Sequence, residues 1–148
     1  MNTRPIRVCK FNGTTQGYRL WLSENRLDQS QGKKRYDAWV PELAPSPALR
    51  QKWLKGKTSW RAFKQLYGEE LDCPMQQEML KPLALLARRL NLILLHDSSD
   101  SKHCPEKIVA EKLKEIQRRE DYRLIQAPWN QPWLWRRTNS HDKPNWIF

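Results

Sequence analysis

Residues 96–107 read HDSSDSKHCPEK and gather His96, His103 and Cys104 within nine positions, with Lys102 and Lys107 alongside. The Cys104–Pro105 step puts a thiol where a helix begins. Proline suits the first helical position because the N–H it lacks would have no intrahelical partner there. A thiol at such an N-cap faces unpaired backbone N–H groups and the positive end of the helix dipole, and nearby lysines add to that field. These residues predict a nucleophilic or redox-sensitive cysteine, with His96 or His103 as its base.

A plainer reading competes with it. Cys73–Pro74 repeats the dipeptide with no histidine near it and with Asp72 as its neighbour, so Cys104 could simply be a free cysteine before a helix. The loop also offers Ser98, Ser99 and Ser101 as donors to an anion, although Asp97 and Asp100 would repel one. His96, His103, Cys104 and His141 match no zinc spacing, so neither metal nor cofactor is expected. The sequence contains no phosphate-binding glycine loop, dinucleotide fingerprint, nucleophile elbow or HExxH helix.

The elements that must position this loop follow from pattern. Leu92–Leu95 is a continuous apolar run, as expected of a strand covered on both faces. The helix after it turns Ile108, Val109, Leu113 and Ile116 inward, with the Lys112 stem laid along apolar surface. Ile6–Phe11 and Tyr18–Leu22 read as two strands and as candidates for direct pairing, separated by the turn residues NGTTQG. Trp39 and Val40 are expected in the core.

Ser46–Pro47 opens a helix that presents Leu49 and Trp53 and ends at Gly56. A second helix, near Ser59 to Leu71, carries Trp60, Phe63, Tyr67 and Leu71 as a core stripe. A third, Pro74 to Leu90, presents Met75, Met79, Leu83, Leu86 and Leu90, and Pro82 predicts a kink or break near Leu80. Strand–helix alternation around an apolar strand gives an α/β fold, a small central sheet flanked by helices in a single domain. We assign residues 1–120 to that domain and residues 121–148 to a Trp/Pro-rich C-terminal extension.

Composition narrows the partners. The 148 residues carry 27 Lys+Arg against 16 Asp+Glu, a formal charge of +11, and 39% are hydrophobic. A field of that sign attracts polyanions, and nucleic acid is the partner it favours. Arg7, Lys10, Arg19, Lys33, Lys34 and Arg35 are the expected phosphate contacts in the first third of the chain. Arg136 and Arg137 follow Trp133 and Trp135, a pairing of cation and aromatic that suits single strands. Trp129, Trp133, Trp135 and Trp146 either strap the tail to the domain or dock a protein partner. Three scattered cysteines form no disulfide framework, which suits a reducing cytoplasm. No apolar leader or spanning segment is visible, so no membrane association is expected.

Four segments then align with a known family. RVCKFNGTTQGYRLWL, YDAWVPELAPSPALRQKW, SWRAFKQLYGEEL and LILLHDSSDSKHCPEKIVAEKL, in that order over roughly residues 6–115, resemble the DUF488 family of small bacterial and archaeal proteins. ELAPS and the LRxxW that follows it are the most specific marks. The resemblance implies a compact α/β domain with a central sheet and supplies no activity. Relatives usually continue after GYR with (V/I)DRLWPRG, where this chain has LSENRLDQSQG. Relatives often have a polar residue followed by histidine at the last helix start, where this chain has Cys104 and Pro105. The functional expectation is a cytoplasmic protein that binds nucleic acid mainly through the phosphate backbone. The alternatives are an enzyme acting on nucleotides or nucleic acid through the Cys104 loop, and an interaction subunit that docks through its tail.

Overall fold

The computed structural model describes residues 5–11, 16–24 and 36–126, with side chains as far as residue 120. Lys33, Lys34, Arg35, Arg136, Arg137 and the tail tryptophans therefore lie outside the described residues. In chain order come β1 (Arg7–Lys10), β2 (Tyr18–Trp21), β3 (Ala38–Trp39), a 3₁₀ turn (Pro41–Leu43), α1 (Pro47–Leu54), α2 (Trp60–Leu71), α3 (Pro74–Arg89), β4 (Leu92–His96) and α4 (Pro105–Gln126). The last part of α4 belongs to a second unit that starts at Gln117; the first, Met1–Ile116, is the one considered below.

The sheet order is β1-β4-β2-β3, and every pairing is parallel. The two strands expected to pair directly are thus held apart by β4, which takes β1 on one edge and β2 on the other. Parallel neighbours need long crossovers, and the chain supplies one through α1, α2 and α3 between β3 and β4. The apolar run was the reliable signal: Leu92, Ile93, Leu94 and Leu95 are each at most 1% exposed.

Alternation along the strands sorts the core into two clusters. Leu20, Leu22, Leu92 and Leu94 join the main one, with Leu49 of α1, Phe63 and Tyr67 of α2, Leu80 and Ala84 of α3, and Val109 and Leu113 of α4. Trp21, Ile93 and Leu95 have the opposite parity and form a smaller cluster with Tyr36.

Caps explain where the helices start. Ser46 Oγ accepts from the Leu49 N–H at 3.3 Å, and Ser59 Oγ accepts from that of Ala62 at 3.1 Å. The Glu70 carboxylate holds the same Ser46 from α2, accepting from its backbone N–H at 3.0 Å and from its hydroxyl. The Tyr67 hydroxyl donates to the Leu43 carbonyl. Two residues of α2 therefore fix the ELAPS corner at both ends.

Three expectations need correction. Helix α3 runs unbroken through Pro82, and the side chains it buries are Leu80, Ala84 and Ala87, while Met75 is 61% exposed. Small alanines bring a helix close to its neighbours, so the buried stripe lies to one side of the Met/Leu stripe that spacing suggests. Trp39 is exposed rather than core; its indole N–H donates to the Ser23 carbonyl at 2.7 Å.

Glycine is required at one position by contact and at another by conformation. A Cβ on Gly17 would sit 2.5 Å from the Asn91 carbonyl oxygen, which already accepts from the Tyr18 N–H. Gly56, with φ +66°, ends α1 in open space. Gly17→Ala should cost about 2 kcal/mol or more, because the obstacle is backbone. Gly56→Ala should cost only about 1 kcal/mol, since just its left-handed conformation opposes a side chain. Denaturant melts of the two variants check the order.

Candidate functional site

A cavity of about 320 Å³ opens where the carboxyl ends of β2 and β4 lie side by side. In open parallel sheets ligands gather outside those ends. Leu22, Ser23 and Glu24 enter it from the end of β2, and Asp97, Ser98 and Ser99 from the end of β4. Helices α1 and α2 supply Arg50, Trp53, Phe63 and Tyr67. The ELAPS corner contributes Ala44 and Pro45, and the start of α4 contributes Pro105 and Glu106, beside His103.

The loop that carried the sequence-level expectation is present, but its chemistry is distributed differently. Cys104 is fully buried, and its Sγ donates to the Ser101 carbonyl at 3.5 Å. Burial pushes this thiol up, the Glu106 carboxyl pushes it further, and Lys107 offsets only part of the effect. The expectation of a stabilised thiolate is thereby reversed: at this N-cap, loss of solvent outweighs the helix dipole. Cys104 is not among the residues that line the cavity, and neither is His96.

His96 ends β4 in the interior, 5% exposed, and its Nδ1 has no hydrogen-bond partner among the described residues. Burial lowers its pKa, and the Lys10 and Lys107 ammonium groups contribute in the same direction, so the ring stays neutral at neutral pH. It is a buried neutral histidine.

His103 does reach the cavity wall. Its Nδ1 lies 2.6 Å from Asp100 Oδ2, and Asp100 Oδ1 accepts from the Lys102 N–H at 3.0 Å. The hydrogen bond from His103 is the main cause that holds the Asp100 carboxyl below its usual range. The imidazole packs edge-on against Trp60 at 5.1 Å and Trp53 at 6.2 Å. With Nδ1 committed to Asp100, proton exchange at this ring falls to Nε2.

Glu106, which pattern reading passed over, is the most perturbed acid of the site. Its Oε2 is enclosed and has no hydrogen-bond partner among the described residues. Burial raises its pKa to about 7; Asp97 adds to the rise, while its own backbone N–H and the Arg50 guanidinium oppose it. Arg50 is itself tied to Glu24, Nη1 to Oε1 at 2.8 Å. Nothing local marks Glu106 in sequence, because an acid in a first helical turn ordinarily serves the dipole in solvent. Asp100 does carry a signal, three residues before His103.

The three described residues among the expected phosphate contacts do not share one face. By register, Arg7 and Arg19 flank Ile93, whereas Lys10 stands beside His96 at the far end of the sheet with the opposite parity. Arg19 is paired with Asp37, which accepts from its backbone N–H at 2.8 Å and lies 3.4 Å from its Nε. Lys52, Lys55, Lys57, Lys102 and Lys107 are exposed.

A four-stranded parallel α/β protein with an aromatic, acid-bearing cavity across its inner strand ends is the class these features define. The chain belongs to the DUF488 family: the family model DUF488-N3a, described as the active DUF488-N3 subclade, matches residues 6–117. No curated protein and no solved structure matches the chain. Among the described residues no helix is long and apolar enough to cross a membrane, and no group of His, Cys, Asp and Glu is arranged to hold a metal ion.

Two outcomes test this electrostatic picture. Alkylation at neutral pH should reach exposed Cys73 first and Cys104 last, by at least about an order of magnitude, because a buried thiol reacts only through opening of the fold. Mass spectrometry against time reads the order. The folded protein holds the Glu106 proton more tightly than the unfolded chain does. Its contribution to stability is therefore complete below the ordinary glutamate pKa and declines as pH rises through about 7. Glu106→Gln should match the parent at pH 5 and exceed it at pH 8 by about 1–3 kcal/mol in denaturant melts.

Proposed function

We propose that this protein binds nucleic acid, with exposed lysines and arginines on the phosphates and with the cavity at the strand ends receiving one base. The observation that carries the reading is a formal charge of +11 on a chain whose cavity is walled by Trp53, Phe63 and Tyr67. Phosphate contact requires cations and little base reading. Aromatic walls suit a base lifted out of its stack. Lys102 and Lys107 bracket the lining residues His103 and Glu106 in sequence, and Lys52 and Lys55 flank Trp53 and Leu54 on α1. Exposed cations therefore neighbour lining residues in sequence, while aromatic rings line the cavity.

A second reading is an enzyme acting on nucleotides or nucleic acid, with the loop after β4 as its centre. The Asp100–His103 pair favours it, because a carboxylate that fixes one ring nitrogen readies the other for proton transfer. In this version proton transfer falls to His103 and Glu106, and Cys104 has no part in it.

Binding to labelled single- and double-stranded oligonucleotides, measured from low to high salt, tests the first reading. Log affinity should fall linearly with log salt, with a slope of about −0.7 to −0.9 for each phosphate contacted. Absence of binding to DNA and RNA at the lowest salt would overturn it.

A further inference from the structure

The charges inside the cavity oppose those of the chain as a whole. Its described lining carries three acids, Glu24, Asp97 and Glu106, against one guanidinium, Arg50, which is already paired with Glu24 at 2.8 Å. His103 is occupied by Asp100 at 2.6 Å. A phosphate entering this space would meet carboxyl groups with no spare cation. An uncharged ring meets no such penalty.

The walls point the same way. Trp53, Phe63 and Tyr67 line the space, and Trp53 and Phe63 lie 5.4 Å apart in a tilted pair. At about 320 Å³ the volume is at the small end of the range for ligand pockets, enough for one heterocycle and too little for a nucleotide with its phosphates. The Tyr67 hydroxyl is spent on the Leu43 carbonyl, so it has no proton to offer a ligand. Of the acids, Glu106 has an enclosed oxygen without a partner, and the last torsion of a glutamate is soft enough to turn that oxygen toward the cavity.

We propose that the cavity takes the base of a nucleotide, with the Glu106 carboxyl on the base's hydrogen-bonding edge, adenine and cytosine held only by its acid form, and the phosphates left outside on the surface cations. This deepens, and rests on, the nucleic-acid reading above. A protonated carboxyl has one donor and one acceptor. Adenine and cytosine present the complement: a ring nitrogen that accepts beside an amino group that donates. The acid form can also donate to the carbonyl and accept from the ring N–H of guanine or uracil, but the carboxylate has no donor for the amidine edge of adenine or cytosine. The pairing needs the acid form, and a pKa of about 7 supplies it in the neutral range.

The groups around Glu106 set that proton. Asp97 after β4 favours it and Arg50 of α1 disfavours it. Tyr67 of α2 stays protonated, since burial, Glu106 and Glu70 all raise its pKa. The Cys104 thiol is neutral for similar reasons. Glu24 beyond β2 is neutralised by Arg50, and His103 is the remaining titratable group on the wall.

Calorimetric titration of the full chain with adenosine, cytidine, guanosine and uridine at pH 6 and pH 8 tests the proposal. Adenosine or cytidine should bind at pH 6 and about tenfold more weakly at pH 8, as the acid form falls from roughly ten in eleven molecules to one in eleven. Guanosine, whose ring N–H and amino group can both donate to the carboxylate, should not weaken. Glu106→Gln keeps a donor and an acceptor without a titrating proton, so it should bind the same nucleoside equally at both pH values. The proposal fails if neither adenosine nor cytidine binds at pH 6, if they bind as tightly at pH 8, or if the pH dependence survives in the glutamine variant. Oligonucleotide binding measured on the same samples keeps the two readings apart. Salt-dependent binding of oligonucleotides without nucleoside binding sinks the base pocket alone. Loss of oligonucleotide binding sinks the wider reading.

Discussion

The structure depends on β4 being paired on both edges and buried on both faces. A strand in that position has no solvent to satisfy its backbone, so both of its edges must be paired, and here both neighbours run parallel to it. The register does this directly, with Ile93 opposite Arg7 on one side and Arg19 on the other. Helices α1, α2 and α3 occupy the long return that such a strand demands. Past buried His96 the strand ends, and the chain turns there through Asp97 and Ser98 into the cavity wall. The site is thus a consequence of where the central strand ends.

The second determinant is the fastening of the ELAPS corner by α2. Ser46 is both the N-cap of α1 and the residue gripped by Glu70, and one turn earlier on α2 Tyr67 reaches Leu43. This orients α1, and with it Arg50 and Trp53, toward the end of β4. The same short stretch is the most specific mark of family resemblance in the sequence. Its physical meaning is a joint between a cap and a half-buried carboxylate, two roles for one serine.

Most of the framework was legible in residue order. Apolar continuity identified β4, the Ser–Pro step located α1, and 3–4 residue spacing of Phe63, Tyr67 and Leu71 gave the buried face of α2. Legibility ended where tertiary burial decides the outcome. No local pattern states whether an N-cap thiol faces solvent, so Cys104 read as reactive and is in fact sealed. The same burial that silences Cys104 raises Glu106, two residues on, and that residue left no trace in spacing or composition. Strand order was equally hidden, because β1 and β2 look like neighbours until a strand from the far side of three helices comes between them. His103 could be nominated from sequence, but its tie to Asp100 and its contacts with Trp53 and Trp60 required the fold.

The position of β4 also bears on how the chain acquires its structure. Arg7 must wait for Ile93, and Tyr18 for Leu92, before either early strand gains a partner on the β4 side. During synthesis both emerge well ahead of the segment that will join them, with unsatisfied edges that invite contact with other chains. Pairings so distant in sequence carry a large loop-closure entropy, which slows the step that forms the sheet. The helices between them have no such delay, since their contacts are local. Folding of this molecule is therefore expected to be ordered: helices and the capped ELAPS corner first, the sheet when β4 arrives, and the cavity only at the end.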